Sequence, residues 1–176
     1  EGLREVNPML GMRGSRLGLM HPAIYEMQVR AILKAAARVA GEGGTPNPEI
    51  MLPLISDGTE MRLLRRRIEG VIEAFQVETG DDAVYKIGAM IEVPRAALTA
   101  DEIAGSADFF SFGTNDLTQM TYGFSRDAAE GKFLTRHLEE RVDAENPFQV
   151  LDRVGVGRLV KIGFDLGKDR KPGLQI

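Results

Sequence analysis

The run Phe109-Phe110-Ser111-Phe112-Gly113-Thr114-Asn115-Asp116-Leu117-Thr118-Gln119-Met120 passes in one step from apolar residues to small and polar ones. A buried parallel strand reads as an apolar run, and its C-terminal end is where an α/β protein places its chemistry. Gly113 lets the backbone come close to a ligand. Thr114, Asn115 and Asp116 then offer a hydroxyl, an amide and a carboxylate side by side, a set suited to a hard cation and an anionic oxygen. A second apolar run, Ile87-Gly88-Ala89-Met90-Ile91, ends in Glu92, just before Val93-Pro94. If the two strands are parallel neighbours, Glu92 and Asp116 point into one mouth. Two carboxylates completed by water or substrate oxygens are the usual arrangement for Mg²⁺. The plainer alternative is that Glu92 pairs with an arginine and Asp116 caps the turn that follows it.

Anion recognition has two candidate segments. Asn7-Pro8-Met9-Leu10-Gly11-Met12-Arg13-Gly14-Ser15-Arg16 sets two arginines among glycines, which suits phosphate or carboxylate because arginine presents a bidentate fork. Ser125-Arg126-Asp127 lies ten residues past Asp116, near enough to fold back over the same mouth. On spacing alone, each segment reads first as a surface loop with solvated charges. Met90 reads as a packing residue, though its place two residues before Glu92 puts it on the same side of its strand. Arg65-Arg66-Arg67 reads as the solvent face of a helix, paired with nearby glutamates. His21 and His137 have no partner at metal-ligand spacing and read as structural or exposed.

The elements that must position these residues alternate. Residues 1–20 read as a loop, with a turn at Asn7-Pro8. Ile24, Met27, Ala31, Ala35 and Val39 predict a helix over about 22–40. A short strand spans 50–55, with Pro53 marking a bulge or strand end. Met61, Leu64, Ile68, Val71, Ile72 and Phe75 line a helix from about 59 to 79, closed by Gly80. Thr99 and Glu102 have capping-box spacing for a short helix. Residues 121–145 read as a long loop with some helical turns. Asn146-Pro147 opens a last helix with an apolar face of Phe148, Leu151, Leu159, Ile162 and Leu166, closed by Gly167. Residues 172–176 read as the start of another strand. This order is α/β with parallel β/α units. Three strands and a stub make roughly half of a (β/α)8 TIM barrel, which typically needs about 250 residues. Open sheet edges in such a half invite pairing with another chain.

The chain has 176 residues, 43% of them hydrophobic, a net charge of −4 and no cysteine. It is long enough for one domain with a core. The acidic balance gives no sign of a nucleic-acid partner. Without cysteine, disulfides, thiolate metal sites and a cysteine nucleophile are excluded, which suits a cytoplasmic protein. No apolar run approaches a membrane span, and no signal peptide is visible. The abrupt ends suggest a piece of something longer, a partial domain over residues 1–176.

Three motifs together carry a resemblance: Asn7 to Gly14, Met90-Ile91-Glu92-Val93-Pro94-Arg95-Ala96-Ala97-Leu98, and Phe109 to Gln119 continuing through Thr121-Tyr122-Gly123-Phe124-Ser125-Arg126-Asp127. The chain resembles the C-terminal pyruvate/phosphoenolpyruvate-binding barrel of the pyruvate phosphate dikinase family. Phosphoenolpyruvate synthase and enzyme I of the bacterial sugar phosphotransferase system share the core motif, but Phe112 and the Gly123–Asp127 tail favour the dikinase. The resemblance implies a transferase that converts ATP, phosphate and pyruvate to AMP, pyrophosphate and phosphoenolpyruvate through a phosphohistidine on a swivelling domain. It implies Glu92 and Asp116 as Mg²⁺ ligands, and substrate contacts at Met90, Gly113, Thr114, Asn115 and Asp116. It also implies that Arg13 and Arg126 hold the phosphoryl and carboxylate groups. The family's ATP-grasp and phosphohistidine domains, its Gly-Glu-His-Gly-Gly segment and its proton-donating cysteine have no counterpart here. The chain is therefore expected to be inactive alone, with the phosphohistidine domain as partner and a homodimer or other self-association. Two alternatives remain. One is a non-catalytic half-barrel acting as an assembly module. The other is a metal-dependent aldolase or lyase, which leaves Arg13 and Arg126 together unexplained.

Overall fold

The structure is a computed structural model and describes residues 8–81 and 83–176. Asn7 of the expected Asn7-Pro8 turn lies outside the described residues; Pro8 to Leu10 do form a turn. Three parallel strands, β1 (Glu49–Leu52), β2 (Lys86–Ile91) and β3 (Phe110–Phe112), make one sheet in the order β1-β2-β3. Ile50 faces Ile87 across the first pair, and Ile91 faces Phe112 across the second. A parallel bridge joins Phe109 to Gln175, with Phe110 N–H donating to the Gln175 carbonyl at 2.9 Å. The sheet thus continues past β3 into the 172–176 segment, as the sequence suggests.

Helices separate the strands: α1 (Ser15–Met20), α2 (Pro22–Gly41), α3 (Gly58–Thr79), α4 (Pro94–Leu98), α5 (Ala100–Ala104), α6 (Thr114–Tyr122), α7 (Arg126–Glu130), α8 (Leu134–Glu139) and α9 (Val156–Arg170). The architecture is α/β with parallel β/α units. Asp57 starts α3 by accepting from the N–H groups of Thr59 and Glu60, and Gly80 ends it in the left-handed conformation at φ 73°. Met61, Leu64, Ile68, Ile72 and Phe75 are buried, packed in one core with Ile87, Ala89, Ile91 and Ile103.

Five local expectations are corrected. In α2 the buried residues are Val29, Leu33 and Ala36, whereas Met27, Ala31, Ala35 and Val39 are exposed. The helix is rich in alanine on all sides, so spacing alone does not single out the face that carries Val29 and Leu33. Ser15–Met20 is helical rather than loop, anchored where Ser15 N–H donates to the Pro53 carbonyl at 3.1 Å. Thr99 makes no capping box: it ends α4 as well as starting α5, and its hydroxyl donates back to the Arg95 carbonyl. The last helix starts at Val156, not at Asn146-Pro147, because the Asp152 carboxylate gathers the N–H groups of Val154, Gly155 and Val156. It runs on past Gly167 to Arg170, and Leu151 and Ile162 are exposed. Arg65 is no solvent-facing charge. Besides Glu69 it reaches Asp108 at 3.0 Å and the Ser106 carbonyl at 3.2 Å, tying α3 to the approach to β3.

Close packing at glycines fixes how the helices lie on the sheet. A Cβ on Gly167 would sit 2.9 Å from the Phe110 ring, and one on Gly163 would sit 3.1 Å from Phe112. In the central strand, a Cβ on Gly88 would meet the Phe109 ring at 2.5 Å. Gly88→Ala is therefore expected to destabilise the fold by about 1–3 kcal/mol through overpacking. Gly70→Ala, on the exposed side of α3 with no atom in the way, should stabilise it by up to ~1 kcal/mol. Urea unfolding of the two variants checks both signs.

Candidate active site

Parallel pairing of β2 with β3 brings the two strand ends side by side. Gly113 N–H donates to the Ile91 carbonyl at 3.1 Å, so the residue after β3 lies against the end of β2. Glu92 follows β2 directly and is only 7% exposed. Its Oε1 accepts from Leu54 N–H at 2.7 Å, in the turn after β1. Its Oε2 lies where Gly113 would carry a side chain: a Cβ there would be 2.4 Å from Oε2 and 3.1 Å from Met90 Sδ. The glycine is thus required by Glu92. Met90 packs beside the same glycine, on the Glu92 side as its spacing suggests.

Asp116 lies in the first turn of α6, a helix that the sequence reading left unassigned. Its carboxylate receives Arg13 Nη2 at 2.9 Å, and its side chain is largely buried. The expected alternative roles are therefore redistributed. Asp116, not Glu92, takes an arginine, and α6 has no side-chain cap. Burial pushes the Glu92 carboxyl above the ordinary glutamate range. The Leu54 N–H opposes that rise, the neighbouring Asp116 charge adds to it, and Arg13 offsets part of it. Among the described residues, no group of three or more histidine, aspartate or glutamate side chains gathers around a common point; the described carboxylates here are Glu92 and Asp116.

Beside the carboxylates opens a cleft of about 710 Å³ lined by Pro8, Met9, Arg13, Asn115, Gln119, Ser125, Arg126 and Asp127. Arg13 and Arg126, 113 positions apart in the chain, thus share one cavity with Asn115. Arg126 is placed by three contacts. Its N–H donates to Gln119 Oε1 at 2.9 Å, its Nε reaches Glu130 at 3.3 Å, and its guanidinium lies 5.7 Å from the centre of the Phe148 ring. Thr114 and Asn115 are exposed at the start of α6, where the positive end of the helix dipole favours an anion. Neither His21 nor His137 lines the cleft; His137 Nδ1 lies 3.1 Å from Asp143.

Sequence reasoning missed Leu54, Ser15 and Gln119. Leu54 contributes a backbone N–H, which no residue type signals. Gln119 lay inside the motif, and its buried position next to the cleft gives it a use that spacing alone did not.

Residues 1–169 match the family model described as PEP-utilising enzyme, PEP-binding domain. The chain belongs to this family. Among curated relatives, the PEP-binding domain here is 51% identical over 176 residues to the chloroplastic pyruvate, phosphate dikinase of Mesembryanthemum crystallinum. It is 49% identical over 174 residues to the pyruvate, phosphate dikinase of Clostridium symbiosum. All of this chain and 18% of the first relative are covered, and 98% and 20% for the second, so the chain spans about a fifth of their length. No described helix is long and apolar enough to cross a membrane.

The raised Glu92 carboxyl has a stability consequence with a definite sign. The fold binds that proton more tightly than the unfolded chain does. The Glu92 contribution to the stability of the metal-free protein is therefore fully present below the ordinary glutamate value of 4.5 and is lost as pH rises through the folded value. Glu92→Gln keeps an acceptor for Leu54 N–H without the charge. It should raise the melting temperature at neutral pH by a few degrees and flatten this part of the pH profile. A melting temperature below wild type at neutral pH would contradict the assignment.

Proposed function

We propose that the chain is a segment of the (β/α)8 barrel that carries the pyruvate/phosphoenolpyruvate site of a pyruvate phosphate dikinase. The observation that carries this reading is the convergence of Glu92 and Asp116 beside a cleft holding Arg13 and Arg126. The whole enzyme would interconvert pyruvate and phosphoenolpyruvate, using ATP and phosphate through a phosphohistidine. Relatives of about half-identical sequence bearing the dikinase name support that reaction.

Glu92 and Asp116 would hold Mg²⁺. The donor set fits: two adjacent carboxylates, one pushed up by its burial and further by its neighbour's charge, would be relieved by a cation that keeps part of its water shell. Bound there, Mg²⁺ supplies a Lewis acid beside the substrate. The chain's own groups do the rest. Arg13 and Arg126 bind the phosphoryl and carboxylate ends as bidentate donors, Asn115 orients the substrate, and Thr114 with the start of α6 adds dipole stabilisation. Gly113 and Met90 shape the wall behind Glu92. Arg13 holds Asp116 through Nη2 while it lines the cleft, so its guanidinium links the cation site to the anion site. The chain has no cysteine, and neither histidine lines the cleft. The proton donor and the phosphoryl carrier therefore come from other parts of the enzyme, and the 176-residue chain alone should give no turnover.

Calorimetric titration of oxalate, a stand-in for the pyruvate enolate, tests this reading with and without Mg²⁺. Oxalate binding should require Mg²⁺ and be lost in Glu92→Gln. Arg13→Ala should weaken oxalate by roughly tenfold or more, the loss of a charge-assisted contact being about 1.5–3 kcal/mol. Equal oxalate affinity with and without Mg²⁺ in a folded sample would leave the assembly reading standing instead.

A further inference from the structure

The turn after β1 is clipped in an uncommon conformation. Leu54 has φ 54°, in the left-handed region that residues other than glycine, asparagine and aspartate rarely enter. Such strain persists only where the surroundings over-determine it. Both backbone polar groups of Leu54 are engaged: its N–H donates to Glu92 Oε1 at 2.7 Å, and its carbonyl accepts from Ser15 Oγ at 2.9 Å. Ser15 is fully buried, and its N–H holds the Pro53 carbonyl at 3.1 Å. The Ser15 hydroxyl is also 2.7 Å from Glu60 Oε1, a three-centre arrangement around one proton. Glu60 Oε2 in turn accepts from the N–H of Ser56 at 2.6 Å and from its hydroxyl at 2.9 Å. Gly14, at φ 56°, presses onto the same turn: a Cβ there would lie 2.9 Å from Leu54 Cβ. Ser15 and Glu60 thus join the segment that carries Arg13 to the turn that feeds an N–H to Glu92.

We propose that Ser15 and Glu60 are positioning residues for the cation site. They lock the Leu54 peptide with its N–H on Glu92 Oε1, which leaves Oε2, lying against Gly113, as the oxygen presented to a divalent cation. The same lock sets Arg13 two residues away from Ser15. This rests on the reading that Glu92 and Asp116 hold the cation. It goes further in assigning two buried residues outside the cleft to the geometry of that site, because partners of a ligand fix its orientation and hence its affinity.

The test uses the natural full-length protein, with Mn²⁺ as a spin-detected probe in the presence of oxalate. Wild type, Ser15→Ala, Glu60→Gln, Glu92→Gln and the Ser15→Ala/Glu92→Gln double variant are compared. Ser15→Ala and Glu60→Gln should each weaken Mn²⁺ binding by roughly 10- to 100-fold. Ser15→Ala should add nothing once Glu92→Gln is present, since it acts through Glu92. In the metal-free protein, hydrogen exchange measured on peptides covering 50–56 should speed up in both single variants. Wild-type Mn²⁺ affinity in folded Ser15→Ala or Glu60→Gln, or losses that add to that of Glu92→Gln, would overturn the proposal while leaving the cation site in place. Absence of Mn²⁺ binding by wild type would overturn the cation reading and this proposal together. If Ser15→Ala does not fold, Glu60→Gln, which keeps side-chain size, carries the same comparison.

Discussion

A carboxylate held out of water at the end of the central strand is the constraint around which the rest of this structure is arranged. Burying Glu92 disfavours its charged form, and each neighbour answers that cost. Leu54 donates an N–H, Gly113 yields the space of a side chain, and Arg13 brings a positive charge to within reach of the adjacent Asp116. None of these could act without parallel pairing of β1, β2 and β3 in their observed order, because each strand end delivers one part. β1 leads to Leu54, β2 to Glu92 and β3 to Gly113 and α6.

The sheet in turn depends on helices that come unusually close. Gly163 and Gly167 let α9 lie against Phe112 and Phe110, so the last long helix buttresses the strand that leads into the site. At the opposite end of the strands, Asp108 gathers Arg65, Lys171 and the N–H of Ile87. Sheet position is thus fixed by polar contacts at one end and by ring-on-glycine packing at the middle. The carboxylate end can then hold a buried charge that a looser frame would let escape to water.

Much of this was legible in the residues. The two acids at the ends of apolar runs, the glycine between them and the alternation of strands with helices were visible because burial and period leave marks on residue type. Pro53 ended β1, and Gly80 ended α3, where backbone chemistry requires it. Other features left no such mark. The buried face of α2 was misread because alanine surrounds it, and the start of α9 because the Asp152 carboxylate gathers the N–H groups that lead into it, well after Pro147. The Leu54 N–H is invisible to any reading of side chains. Ser15 looked like part of a Gly/Arg-rich loop because its partners, Leu54 and Glu60, are 39 and 45 positions away.

Charge balance explains why the two halves of the proposed site belong together. Glu92, Asp116 and Arg13 sum to one negative charge when both acids are ionised, and that charge repels an anionic substrate. A divalent cation held by the two carboxylates, as proposed, would reverse the sign. Arg13 stands between the two halves, holding Asp116 through Nη2 while it lines the cleft that it shares with Arg126. An anion in the cleft would then be drawn by the cation as well as by Arg13 and Arg126. By linkage, the factor by which the cation strengthens the anion is the factor by which the anion strengthens the cation.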